Sequence, residues 1–296
     1  MDNPFILHFV TVMIFSLMLA IGINHPIQQL TFLWRQPVLM LRSLVAVVVL
    51  VPIVVFVLLR LLDLPLAVAT GLAILAAAPG APMTYKRTQM AAGDPIYAAS
   101  LQLTLAMLAV IITPLTLAIF YLLLELATER VTPTAVAGQV AQVTIMPVII
   151  GLLFRHFAPG LAERINKPLR VFANVLFILF VVLLIVMIAI KPDLRAMLNI
   201  GGLPITAIVI MVVVALAFGH LLGGPSQDFR SVLAVACIAR NAGLAFYIAG
   251  LSAYGQQFTP TLLTYVVLGS ALAIPYSVWS KRRTKGSRKK ILHSKP

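Results

Sequence analysis

The chain has 296 residues, 61% of them hydrophobic and only 10% charged, with a mean hydropathy of +1.05. A water-soluble domain carries about 25% charged residues, so a soluble globule is excluded. The formal net charge is +14, but eight of the 22 basic residues lie in one stretch, Lys281 to Lys295, a placement that fits the anionic headgroups of a cytoplasmic leaflet and not nucleic acid.

Nine apolar runs predict nine membrane-spanning helices, near residues 5–23, 37–61, 64–91, 95–124, 133–155, 168–190, 203–223, 227–250 and 256–279. Each is near or above the roughly 20 residues that cross a bilayer as a helix. The runs are continuous and do not alternate every second residue, which argues against an outer-membrane barrel. The expected organisation is one transmembrane domain over 1–280 and a basic cytoplasmic tail over 281–296.

The first run starts after Met1-Asp2-Asn3, without the basic start of a cleavable signal peptide. Asn24 and His25 follow it in a short turn and receive no role. Arg35 precedes the second run, Arg42 lies near its start, and Pro52 lies further within it. The third run contains "AAAPGAPMTYKR". Pro79, Gly80 and Pro82 must break the helix there, because proline removes a backbone donor and clashes with the preceding turn. In lipid such a break is tolerated only where protein or a water-filled cavity surrounds it. Lys86 and Arg87 follow at the cytoplasmic mouth, where they can attract an anion or simply fix topology.

The eighth run contains "IARNAG", in which Arg240, Asn241 and Gly243 interrupt the apolar pattern. A pair of interrupted helices, one in each half of the chain, points to a transporter site at the membrane midplane. His220, closing the seventh run, is a weaker candidate for sensing pH.

Positive-inside bias orients the spans. With the N-terminus outside, 17 basic residues fall on the cytoplasmic side and four outside. The prediction is an integral inner-membrane protein with its N-terminus out and its C-terminus in. Its eight carboxylates, Asp2, Asp63, Asp94, Glu125, Glu129, Glu163, Asp193 and Asp228, lie near termini or loops, so no proton-relay carboxylate is expected inside a span. The single cysteine, Cys237, excludes an intrachain disulfide. The five scattered histidines show no metal-ligand spacing. No metal, cofactor or catalytic constellation is expected, and the chain does not read as an enzyme.

Three segments together resemble the bile acid:sodium symporter family: "APGAPMTYKRTQMAAGD" at 78–94 with "ITPL" at 112–115, "IMPVIIGLLFR" at 145–155, and "RNAGLA" at 240–245. The resemblance implies an all-α polytopic fold of inverted repeats, divided into a core and a panel bundle, with two discontinuous helices crossing in the core. It also implies that the sodium-site side chains are replaced. The family's Glu and Gln of the second broken helix fall on Ala236 and Arg240, and its Ser-Asn pair on Thr84 and Tyr85. Its hydroxyl residues in the next span fall on Ala98 and Gln102, and a Gln of the second span falls on Val47. Thr84 remains chemically equivalent, and Asn241 is retained.

Sodium is a hard cation that needs oxygen ligands, so a tight sodium site is not expected. Arg240 lies about 15–20 Å from either surface at 1.5 Å per helical residue, at a cost near the bilayer centre of about 2.5–3.5 kcal/mol. One reading makes it a built-in cation that replaces sodium and donates to backbone carbonyls near Ala78 to Met83. A second has it bind the substrate directly, and a third makes it purely structural. The first two favour an anionic substrate. Gln102 and Asn241 can contact a ligand or join helices. The resulting expectation is a secondary transporter of a small organic anion, working by alternating access without sodium. Two alternatives fit the same residues: a sodium symporter with a rebuilt ion site, and a non-transporting membrane sensor or binding protein on the same scaffold.

Overall fold

The computed structural model describes residues 4–124, 132–252 and 254–293. Asp2, Glu125, Glu129, Arg130 and Lys295 lie outside the described residues. Every regular element among those described is helical.

Eleven helices organise the chain. They are α1 (Pro4–Asn24), α2 (Pro37–Leu61), α3 (Leu66–Ala77), α4 (Thr84–Met90), α5 (Pro95–Leu124), α6 (Thr134–Phe157), α7 (Pro159–Ile190), α8 (Gly202–Leu222), α9 (Gln227–Ile238), α10 (Ala242–Gly250) and α11 (Gly255–His293). Short helical turns at Ile27–Leu30, Phe32–Arg35 and Pro192–Met197 connect some of them. Among the described residues, seven segments are long and apolar enough to cross a membrane, with α9 and α10 counted together; His8–Asn24 and Leu66–Ala77 are shorter apolar helices.

Two boundaries differ from the sequence reading. The sixth run begins at Pro159, nine residues before the apolar stretch, because Pro159 suits a first helical turn and the amphipathic segment from Gly160 to Lys167 continues the same helix. The last run does not end at a tail: α11 carries its helix through Lys281 and on to His293.

The apolar side chains form two clusters. The smaller joins α1, α6 and α7 through Met13, Leu17, Met18, Ile21, Val148, Ala173 and Phe177. Gly22 and Gly151 let α1 and α6 approach closely, since a Cβ on Gly151 would lie 2.6 Å from Leu19 O and 2.9 Å from Ile23 N. Small residues at such crossings replace the hydrophobic driving force that lipid does not supply. The larger cluster gathers α2, α3, α5, α8, α9, α10 and α11, and also takes Val136 and Val140 from the start of α6.

Burial places the elements. In the α9–α10 segment 78% of the most apolar window is buried, against 6% in α7. The broken segment that carries Arg240 is therefore central. α7 turns Phe172, Val175, Ile178 and Ile185 outward, a surface stable only against lipid.

Candidate functional site at the two helix breaks

α3 stops at Ala77 because Pro79 disfavours helical geometry in the residue before it. Gly80 then adopts φ +75, a left-handed conformation open to glycine. A Cβ there would also lie 3.0 Å from Ala106 N and 3.1 Å from Leu105 C on α5. α4 resumes at Thr84. The second break contains no proline. α9 ends at Ile238, and Asn241 starts α10 by accepting the Leu244 N–H on its Oδ1 at 3.0 Å, as an N-cap does.

The breaks bond to each other. Asn241 N–H donates to Ala78 O at 2.8 Å, and Ala81 N–H donates to Ala239 O at 3.4 Å. Gln102 Nε2 reaches from α5 to Gly80 O at 3.2 Å. Tyr265 on α11 donates its hydroxyl to Ile238 O at 2.8 Å. The unwound backbone is thus held by protein groups, as an apolar medium requires.

Arg240 is 4% exposed. Its Nε donates to Leu75 O at 3.0 Å, its Nη1 to Val47 O at 3.1 Å, and its Nη2 to Ala76 O. Leu75 and Ala76 belong to the last turn of α3, where helical carbonyls lack intrahelical donors and the helix dipole presents partial negative charge. Val47 O has a different origin. Val45–Leu50 forms a π turn within α2, which pairs carbonyl i with the N–H of residue i+5. For Val47 that partner is Pro52, which has no N–H. Two carbonyls left without helical donors, Ala76 O and Val47 O, therefore converge on one guanidinium together with Leu75 O, which also accepts the Ala78 N–H at 3.1 Å. Each hydrogen bond to a charged group contributes about 1.5–3 kcal/mol, which together exceeds the insertion cost of about 2.5–3.5 kcal/mol.

The expected partners of Arg240 near Ala78 to Met83 are corrected by this geometry. The guanidinium reaches back to the end of α3, while Ala78 O, Gly80 O and Ala81 O already accept from Asn241 N–H, Gln102 Nε2 and Thr84 N–H. The role of Val47 is carried by its carbonyl and not its side chain.

The other named residues divide clearly. Ala236 and Ala98 are buried apolar positions. Thr84 Oγ1 and Gln102 Oε1 are buried and have no hydrogen-bond partner. Pro79, Gly80 and Pro82 are buried, and Gly243 is exposed. Arg87 Nη2 donates to Ser270 Oγ at 3.0 Å, tying α4 to α11, while Lys86 is half-buried. His220 pairs with Tyr276 at 2.9 Å. Tyr85 bonds to His25 at 2.8 Å, so the histidine given no role from sequence is buried and partnered. Tyr265 was legible only as one aromatic in an apolar run. Pro52 was visible, but the carbonyl it liberates was not. Among the described residues, no group of three or more His, Cys, Asp and Glu side chains could hold a metal ion.

Comparison with known families decides the kinship. The model of the sodium bile acid symporter family matches residues 11–195. The chain belongs to this family. It is 26% identical to the human P3 protein over 178 residues, 60% of this chain and 37% of that protein. It is 29% identical to rat sodium/bile acid cotransporter 5 over 153 residues, 51% of this chain and 35% of that protein. The chain thus aligns with little more than a third of either relative. The family match covers the first break and ends before α8, so the segment that carries Arg240 lies beyond it.

Proposed function

We propose that this chain is a secondary transporter of organic anions that works by alternating access, with Arg240 as its built-in cation. The observation that carries the proposal is the guanidinium seated on Leu75 O, Ala76 O and Val47 O. Half-helix C-termini and unwound carbonyls are where transporters of discontinuous-helix type hold a coupling cation. Here a side chain takes that position, and a tethered cation needs no anionic ligand, consistent with alanine at position 236.

In this reading the chain crosses the membrane nine times, N-terminus outside, and lies in a bacterial inner membrane. α3–α5 and α9–α11 are matching halves of an inverted repeat: each has a 12-residue helix, a break, a short helix and a long helix. α1, α6 and α7 form the panel, and the remaining helices form the core that moves against it. All of the Arg240 site rides on the core. Thr84 Oγ1 and Gln102 Oε1, buried without partners beside the first break, are the polar atoms left for a ligand. The basic extension of α11 rests on anionic headgroups.

The experiment is thermal unfolding of the purified protein in sodium chloride and in choline chloride, with and without taurocholate. A ligand selective for the folded state raises stability by RT ln(1 + [L]/Kd). Taurocholate stabilises the wild type equally in both salts. A sodium-dependent response would instead make the chain a sodium symporter with a rebuilt site. Binding of taurocholate without its exchange across liposomes would make it a sensor.

A further inference from the structure

His25 is buried, takes no part in the Arg240 site, and bonds to Tyr85, which packs against both apolar clusters. It follows the last turn of α1, its N–H closing on Ile21 O at 3.0 Å. Its Nδ1 is 2.9 Å from Gln29 Oε1, and its Nε2 is 2.8 Å from the Tyr85 hydroxyl. The two rings meet edge to face at 5.5 Å. Gln29 Oε1 can only accept, so Nδ1 carries the hydrogen and the neutral ring's Nε2 accepts from Tyr85. Tyr85 packs against both clusters and follows directly on Thr84, at the first break. One hydrogen bond therefore joins the end of α1 to the broken helix.

The charged groups facing His25 come from every neighbouring element. Arg155 lies at the end of α6, Arg170 on α7, and Asp94 just before α5. Lys86 is adjacent to Tyr85 on α4 and itself faces Arg170. Asp94 Oδ1 accepts the Tyr97 N–H at 2.7 Å as a helix cap. Arg155 Nη1 donates to Ile23 O at 2.7 Å, fixing the end of α1. Two cations, Arg155 and Arg170, thus face the imidazole, and the nearby carboxylate is already engaged.

Resting on the transport reading above, we propose that His25 is a proton-binding site linked to the anion, so that the protein carries an organic anion together with one proton held on His25 Nε2. The proton comes from solution and forms an Nε2–H bond, and no other covalent bond changes. Tyr85 then reverses its role. Its oxygen accepts from Nε2–H, and its own hydrogen is released to donate to an anionic oxygen at the break. Burial above all, with Arg155 and Arg170 adding to it, holds the imidazole below its ordinary pKa of 6.5, so the anion-free ring is neutral at pH 7. A bound anion offsets the field of Arg155 and Arg170 and favours the imidazolium. By linkage the proton favours the anion equally. The two charges cancel, so the step is electroneutral with a monoanion.

The test uses the full chain in sodium-free proteoliposomes holding a pH-reporting dye, with membrane potential clamped, and radiolabelled taurocholate as probe. The taurocholate sulfonate stays ionised between pH 5 and 8, so any pH dependence belongs to the protein. In the wild type, taurocholate entry acidifies the lumen. Its apparent affinity rises up to tenfold per unit as pH falls through the anion-bound pKa of His25, and levels off below the anion-free one. His25→Gln keeps taurocholate exchange but loses both acidification and the pH slope. Tyr85→Phe keeps the buried imidazole and weakens the slope.

Net taurocholate entry in the wild type without acidification, or acidification unchanged in His25→Gln, overturns the proton site and leaves the transport reading standing. Absence of wild-type exchange overturns both. If His25→Gln does not fold, the wild-type slope decides alone, and a flat affinity between pH 5 and 8 refutes the proposal.

Discussion

On the proposed reading, replacing Arg240 by glutamine should turn a protein that sodium does not stabilise into one that it does. The guanidinium now holds three carbonyls. Leu75 O has a second donor, Ala78 N–H at 3.1 Å, so the substitution leaves Ala76 O and Val47 O as the two orphans. An unsatisfied buried polar group costs about 1–3 kcal/mol, which predicts a loss of roughly 2–6 kcal/mol in Arg240→Gln when no cation is present. The vacated oxygens, with the new amide oxygen, are the hard ligands that sodium accepts. Sodium at 100 times its dissociation constant would restore about 2.7 kcal/mol. Ala236 lies in the last turn of α9, four residues before Arg240 in the break, so Ala236→Glu with Arg240→Gln, which adds a carboxylate, should tighten the site further. The assay is thermal unfolding in choline chloride against a sodium titration. The wild type should show no sodium response and Arg240→Gln a saturable one. Arg240→Gln that unfolds with the wild type in choline would show that the guanidinium does not hold the crossing. A single variant that is destabilised but indifferent to sodium would remove the argument that Arg240 stands in a cation's place.

Three other substitutions follow from the same geometry. Pro52→Ala restores an N–H that can take Val47 O, so one guanidinium bond weakens; taurocholate affinity should fall severalfold while the protein stays folded, as read by thermal shift. Tyr265→Phe removes one of two donors to Ile238 O, the other being Arg240 N–H at 3.0 Å, and should cost about 1 kcal/mol in unfolding measurements. Gly80→Ala places a Cβ 3.0 Å from Ala106 N at φ +75; strain of this kind costs about 1–3 kcal/mol before the clash is counted, and yield and melting temperature should fall below those of Gly71→Ala, whose added methyl meets the Thr261 side chain instead of backbone.

The sequence by itself determined the solvent, the helical class and the breaks. Hydropathy depends on composition within a window, so continuous apolar runs announce helices in lipid before any contact is known. Pro79 and Gly80 announce the first break because their constraints are local, one lacking an N–H and the other accepting positive φ. Arg240 announced a position that needs compensation because a buried guanidinium is costly wherever it is placed.

What it is bonded to was decided only by the tertiary structure. Leu75 O and Ala76 O lie about 165 residues away in sequence and Val47 O 193, and backbone carbonyls are the same in every residue, so no side-chain pattern identifies the ones that will lack a donor. The sequence shows Pro52 but not the π turn that makes Val47 its missing partner. The same limit hid His25, an ordinary turn residue until folding sets it against Tyr85, 60 positions away. Cost can be read from one residue at a time, whereas compensation requires two residues to meet, and that meeting belongs to the fold.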